Sequence, residues 1–225
     1  MGDRLEYRMG GAEMIHDLVT IVALKYKEPD YEHTVRCIDA TELRVEWADR
    51  AGWGNFSKAM NDAFERVKTE YTWFVTDVVF DPDVPARLLR NLRFHNLVAI
   101  HPQHGSDHLS HQPGHPWSVG VQPVPFIEWT APLVQSAWHR RMDGLDVNHW
   151  YWYQDLIWSK KTREAGGVMG VDHTTSVHHV YRRNSIQYPI TRKRYATRRK
   201  RDVIERKLLR ERYGKNWRDI LWARA

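Results

Sequence analysis

Apolar positions along the chain alternate between two spacings, and the changes of spacing mark out regular elements. LVTIVAL, residues 18–24, is an unbroken β-branched and aliphatic run of strand length. The segment from Tyr31 to Thr41 follows with helical spacing through Val35, Cys37 and Ile38. LRVEW (43–47) alternates and predicts a second strand. FSKAMNDAFERV (56–67) gathers Phe56, Ala59, Met60, Ala63, Phe64 and Val67 on one helical face. YTWFV (71–75) predicts a third strand, DVPARLLRNLRF (83–94) a third helix and LVAI (97–100) a fourth strand. Strands alternating with helices imply an α/β fold, a mostly parallel sheet wound right-handed with helices on both faces.

From His101 to Pro116 the pattern stops. HPQHGSDHLSHQPGHP holds Pro, Gly and five His, and predicts an exposed loop. Zinc on His104 and His108, or on His111 and His115, is the alternative there, weakened by the interrupting Pro and Gly and by the lack of a nearby Cys. VGVQPVPFIEW then suggests short strands and APLVQSAWHRRM a helix. WYWYQDLIWSKKTREAG predicts a helix stopped by Gly166 and Gly167. VMGVDHTTSVHHV suggests one or two strands, and from about Thr191 a basic helical segment runs to the end. Residues 1–190 are expected to form the main domain and 191–225 a basic helical C-terminal extension.

Charge sharpens that division. The formal net charge is +6. From Tyr181 onward there are 16 Lys and Arg against 4 acids, a net of about +12, which leaves about −6 on the rest. An acidic body with a basic tail suggests contact with a polyanion, either DNA or an anionic membrane face. A solvated helix packing Ile204, Leu208 and Leu209 on the body is the plainer account of the same residues. The 11 Trp and 10 Tyr suit a protein that stacks on sugar or base rings, or simply fill a core. Cys37 is the single cysteine, so no internal disulfide can form. No apolar run approaches the roughly 20 residues of a membrane span, and MGDRLEYRMGGAEM lacks a signal-like apolar core. Those readings lead to the expectation of a cytoplasmic chain.

The chemistry starts at Asp77, in YTWFVTDVVFDPD. A carboxylate at the end of a segment built for burial must be paired, bound to a cation or in a turn. In wound α/β sheets, ligands collect beyond the carboxyl ends of the strands, where Asp77 falls. A second acid, Asp155, is placed at the start of an aromatic-rich helix, a position that also suits a residue stabilised by the helix dipole.

In order and spacing, residues 18–180 resemble the GT-A nucleotide-sugar glycosyltransferases, in particular the inverting family 2 type. VALKYKEPD stands in the place of the family's P-T-Y-N-E loop, with Tyr26 and Glu28 matching. Asp49 matches an acid that contacts the base, and SKAMNDAF matches the A-x-N helix through Ala59 and Asn61. FVTDVVFDPD aligns with a D-x-D variant; Asp77 takes the metal-binding position and Thr76 or Val75 stands where the first acid is often found. YWYQDLIWSKKTREAG is similar to the acceptor-side motif ending R-E-A-G, with Gln154 in place of Glu and Asp155 matching the catalytic base. His179, or His178 as the fallback, fits the spacing of a His that joins the metal or diphosphate.

The resemblance implies a GT-A fold and an inverting transfer from a nucleoside diphosphate sugar, most simply a uridine diphosphate sugar, with Mn²⁺ or Mg²⁺ as cofactor. Asp77 and His179 would hold the cation. Tyr26, Glu28, Asp49, Asn61 and Thr76 would hold the donor nucleotide, and Asp155 would take the acceptor's proton. Trp152, Gln154 and His178 would line the acceptor side. The acceptor would be a hydroxymethylated base in DNA, as in some phage enzymes of related type, or a cell-envelope or lipid-linked glycan. The alternative from another class is an inactive GT-A scaffold that binds nucleic acid through its basic tail.

Overall fold

A computed structural model of the chain describes residues 14–25, 31–49, 55–104, 119–149, 153–179 and 189–222, with the backbone alone at 179 and 189–199. The order of elements is α1 (Ile15–Leu18), β1 (Val19–Lys25), α2 (Glu32–Asp39), β2 (Arg44–Asp49), α3 (Phe56–Phe64), β3 (Tyr71–Val75), β4 (Val78–Val79) and α4 (Val84–Phe94). There follow β5 (Ala99–His104), β6 (Val121–Val124), β7 (Leu133–Gln135), α5 (Ser136–Arg141), α6 (Gln154–Glu164), β8 (Met169–His179), α7 (Pro189–Tyr213) and α8 (Trp217–Trp222).

The eight strands form one sheet ordered β2-β1-β3-β7-β5-β8-β4, with β6 also paired to β8. By their pairings β1, β2, β3, β5 and β8 run in one direction, while β7, β4 and β6 run against them. The sheet is therefore mostly parallel by direction but mixed in its pairings. The three-residue β7 lies antiparallel between β3 and β5, in a stretch whose pattern suggested helix. LVQ is too short to display a period, and its helix starts only at Ser136.

Side chains on β1 and β3 alternate between two apolar layers. Val22, Leu24 and Phe74 face α3, α5 and α6, in a layer with Met60, Phe64, Trp129 and Trp158. Ile21, Ala23, Trp73 and Val75 face α1, α2 and α4, with Ile38, Leu88, Leu89 and Leu92. Burial on both faces is why these strands read as continuous apolar runs. A third cluster joins Phe126, Leu156 and Ile157 to Leu209 of α7 and to Trp217 and Leu221 of α8, so the C-terminal helices share a core with α6.

Two features bear on the site. β5 extends through His104, so the expected loop begins as a buried strand: His101 and His104 are both buried, and residues 105–118 lie outside the described residues. β8 then breaks register against β5, which pairs Pro102 with Asp172 but Gln103 with Ser176. The buried Asp172 carboxylate holds this bulge. It accepts from Asn91 Nδ2 at 2.7 Å, Thr174 N at 2.8 Å, Thr174 Oγ1 at 2.6 Å and Thr175 Oγ1 at 2.7 Å. Beyond the bulge, β8 reaches β4 and pairs His178 and His179 with Val79 and Val78.

The first apolar layer encloses His139, whose ring lies 4.5 Å from Phe64, 4.9 Å from Phe74 and 5.5 Å from Trp129 between centroids. Neither ring nitrogen has a hydrogen-bond partner among the described residues. Burial, reinforced by Arg140 and Lys161, pushes its pKa down to about 3. The folded protein therefore keeps His139 neutral where the unfolded chain takes up a proton. Its stability contribution is complete above about pH 6.5 and drains as pH falls towards 3. By pH 4.5 the loss attributable to this group is about 2 to 3 kcal/mol. His139→Phe is expected to flatten that limb in urea melts between pH 6.5 and 4.5.

Candidate active site

The carboxyl ends of β3 and β5 meet at Thr130. Thr76, buried just past β3, donates its N–H to the Thr130 carbonyl at 2.9 Å and its hydroxyl to the same oxygen at 3.2 Å. The Thr130 hydroxyl is 2.8 Å from His101 Nε2 and 3.1 Å from His104 Nε2. His104 Nε2 is also 3.1 Å from Glu128 Oε2. Glu128 in turn is close enough to Asp155 for its charge to act on that carboxyl. A chain of hydrogen bonds thus runs from the backbone beside Asp77 to Glu128, and the charge of Glu128 acts on Asp155.

Asp77 is half-buried in the bend between β3 and β4. Across from it lies Tyr31, which opens α2; burial and then the Asp77 charge raise that phenol's pKa above its ordinary value. β4 carries the chain from Asp77 alongside His178 and His179, which pair with Val79 and Val78. His178 is exposed, and only the backbone of His179 is described.

Asp155 is in the first turn of α6. Burial first, then the charges of Glu128 and Glu205, push its pKa up to about 7, against the pull of the backbone N–H groups of Leu156 and of Asp155 itself. Leu156 N donates to Asp155 Oδ1 at 2.9 Å. A carboxyl held at that value is part ionised at neutral pH and able to accept a proton, the property a general base requires. Next to it, Gln154 is buried and its Oε1 has no partner among the described residues.

The remaining sequence candidates divide. Asp49 is exposed at the end of β2, beside Lys25 at the end of β1. Tyr26, Glu28 and Trp152 lie outside the described residues. Asn61 and Thr76, the two other residues to which the resemblance gave a donor-binding role, each make hydrogen bonds within the fold. Asn61 Nδ2 donates to Leu145 O at 2.8 Å, and its Oδ1 accepts from Leu145 N at 2.9 Å. This clasp uses one of the amide's two N–H donors and one of its oxygen's two acceptor sites. It also explains Gly144, at φ +61°, where a Cβ would stand 2.7 Å from Asn61 Oδ1. Thr76 spends both donors on Thr130, which fixes the backbone just before Asp77.

Glu128, Glu205 and Tyr153 are the residues the sequence reading missed, and His104 was weighed there only as a zinc ligand in a loop. Glu128 carried the same signal as Asp77, an acid beside buried apolar residues, here Ile127 and Trp129. Glu205 is one helical turn before Leu209, on the apolar stripe of a basic helix, and both are buried.

Among the described residues no three His, Cys, Asp or Glu side chains converge as a metal cage. Asp77 therefore offers a single carboxylate. Hard divalent cations take about six oxygens, so a cation here fits only if a bound diphosphate completes its shell.

Against known proteins, no family profile matches the chain, and no curated protein matches it in sequence. Among solved structures, S. aureus TarS, a GT-A-like glycosyltransferase, is similar with a TM-score of 0.54. The two chains share a mixed α/β fold. Identity with TarS is 11%, and the match covers 73% of this chain. The chain spans 37% of the length of TarS, so the likeness concerns architecture. No helix among the described residues is long and apolar enough to cross a membrane.

Proposed function

We propose that the protein is an inverting glycosyltransferase of family 2 type that moves a sugar from a uridine diphosphate sugar to an acceptor hydroxyl. The observation that carries this reading is Asp155. It is a partly buried carboxyl with a pKa near 7, under the charge of Glu128, which is linked through His104 and Thr130 to the strand end that bears Asp77. Breaking the anomeric carbon–oxygen bond loads negative charge on the diphosphate, and Mn²⁺ or Mg²⁺ would neutralise it. Asp77, with His179 from the facing strand, would hold that cation. Asp155 takes the acceptor's proton as its oxygen attacks from the opposite side of the sugar, and the single displacement inverts the anomeric centre. Tyr26, Glu28 and Asp49 are assigned to the donor nucleotide, and Trp152, Gln154 and His178 to the acceptor side.

The acceptor class follows from charge. Lys200, Lys207, Arg210, Lys215 and Arg218 are exposed along α7 and α8. Such a surface favours a polyanionic acceptor, and we assign a hydroxymethylated base in DNA ahead of a cell-envelope glycan at an anionic membrane.

A panel of nucleoside diphosphate sugars with and without Mn²⁺, scored by diphosphate release and by thermal shift, tests the reading. Cation-dependent release with one donor, and a raised melting temperature with its diphosphate, are expected. No release and no shift with any donor, alongside salt-sensitive DNA binding, would support the inactive scaffold instead.

A further inference from the structure

Tyr153, the residue before α6, has φ +68° and ψ −5°. Three other non-glycine residues among those described share a positive φ (Glu42, Asn96 and Asp143), and Tyr153 is the bulky one. A bulky residue persists in the left-handed region only when its surroundings hold it there. The side chain of Tyr153 gives α6 no cap, so the local sequence does not fix where that helix begins.

The holding comes from α7. Tyr153 Oη donates to Asp202 Oδ1 at 2.8 Å and accepts from Arg206 Nε at 2.9 Å. Arg206 closes the triangle onto Asp202, with Nε 2.9 Å from Oδ1 and Nη2 2.8 Å from Oδ2. The Tyr153 ring meets Trp217 of α8 edge-on at 5.2 Å. One turn further along α7, Leu209 is buried against α6, and Arg212 reaches Asp146 at 2.6 Å. Glu205, on the same helix and buried, is one of the two acids whose charge bears on Asp155; Glu128 is the other.

We propose that α7 is a working part of the acceptor half of the site, in which the Tyr153–Asp202–Arg206 latch fixes the start of α6 and so positions Asp155. Tyr153 and its two partners are positioning residues, acting through the helix they hold. The inference rests on the assignment of Asp155 as the base, and it makes α7 necessary for the reaction apart from any contact with a polyanion.

Tyr153→Phe in the full chain keeps the ring and removes both hydrogen bonds to the hydroxyl. Arg206→Met removes the guanidinium from the same triangle and guards against a peculiarity of one substitution. The readout is the titration midpoint of Asp155, followed by carboxyl ¹³C NMR and assigned with Asp155→Asn. Release of uridine diphosphate from uridine diphosphate glucose with Mn²⁺ is measured in parallel. Both latch variants are expected to move the midpoint down from about 7 by at least half a pH unit. They are also expected to lower turnover at least tenfold, with donor KM within twofold of the parent. A midpoint that stays in place in both variants overturns the latch, whatever the rate or melting temperature does. The base assignment fails by a different result, an Asp155→Asn enzyme that releases uridine diphosphate at the parent's rate.

Discussion

Asp155→Asn lowers turnover by about 10² to 10⁴, the range expected when a positioned general base is removed. Donor binding is expected to survive, because the amide keeps the shape of the carboxyl and Asp77 is untouched. The parent's kcat should rise with pH through a midpoint near 7, since the ionised form of Asp155 is the one that accepts a proton. The same group makes a second, opposite prediction for stability. Its folded pKa is raised, so the fold favours the protonated carboxyl. No penalty exists below about pH 3.8; the penalty grows as pH rises and is complete above about 7. Part of the residue remains open to solvent, so the full linkage value is discounted to about 2 kcal/mol. Asp155→Asn should therefore melt higher than the parent at pH 8 and equally at pH 4. A variant that loses turnover while gaining stability at alkaline pH is the signature of a group kept for chemistry at the expense of the fold.

Asp77→Asn is expected to reduce diphosphate release about 10³-fold and to abolish the additional thermal shift that Mn²⁺ confers on uridine diphosphate. The magnitude follows from the several kcal/mol that a cation contributes to leaving-group charge, at 1.36 kcal/mol per tenfold in rate. Among the described residues Asp77 is the carboxylate at the end of β3, and the neighbouring Thr76 is committed to Thr130. Among the described residues no three-ligand cage stands by to compensate for its loss. Asp155→Asn should keep the Mn²⁺-linked shift and lose the rate, whereas Asp77→Asn should lose both. Isothermal titration with uridine diphosphate, with and without Mn²⁺, separates the two. An Asp77→Asn protein that binds the diphosphate as tightly with the cation as the parent would remove Asp77 from the metal role.

The strands and helices from residue 18 to 100 were legible because burial on both faces of β1 and β3 writes long apolar runs, and α3 and α4 carry clear apolar faces. β7 was not legible, since three residues cannot show a period and its neighbours β3 and β5 are distant in sequence. The Pro and Gly of residues 101–116 signal a loop, yet His101 and His104 lie on β5. Their burial depends on partners, Thr130 and Glu128, more than twenty residues away. Local context singles out Asp77 and Asp155 as the candidate carboxylates. It does not show their environment, because Glu128 and Glu205 reach Asp155 only through the fold. Asn61 shows a limit of another kind: the motif position matches, but nothing local reveals that its amide also serves the turn at Leu145.

The bulge held by Asp172 takes an odd number of residues off the ladder: three lie between Asp172 and Ser176, while their partners Pro102 and Gln103 are adjacent on β5. Adjacent residues on a strand face opposite sides, so Asp172 and Ser176 do too, although four steps of strict alternation would return them to one side. The far half of β8 therefore takes its phase from its partners on β5 and β4, and not from a count along its own chain. Gain or loss of one residue between Asp172 and Ser176 is taken up inside the bulge, with Val177 still enclosed and His178 still exposed. What such a change strains is the set of donors gathered on the Asp172 carboxylate.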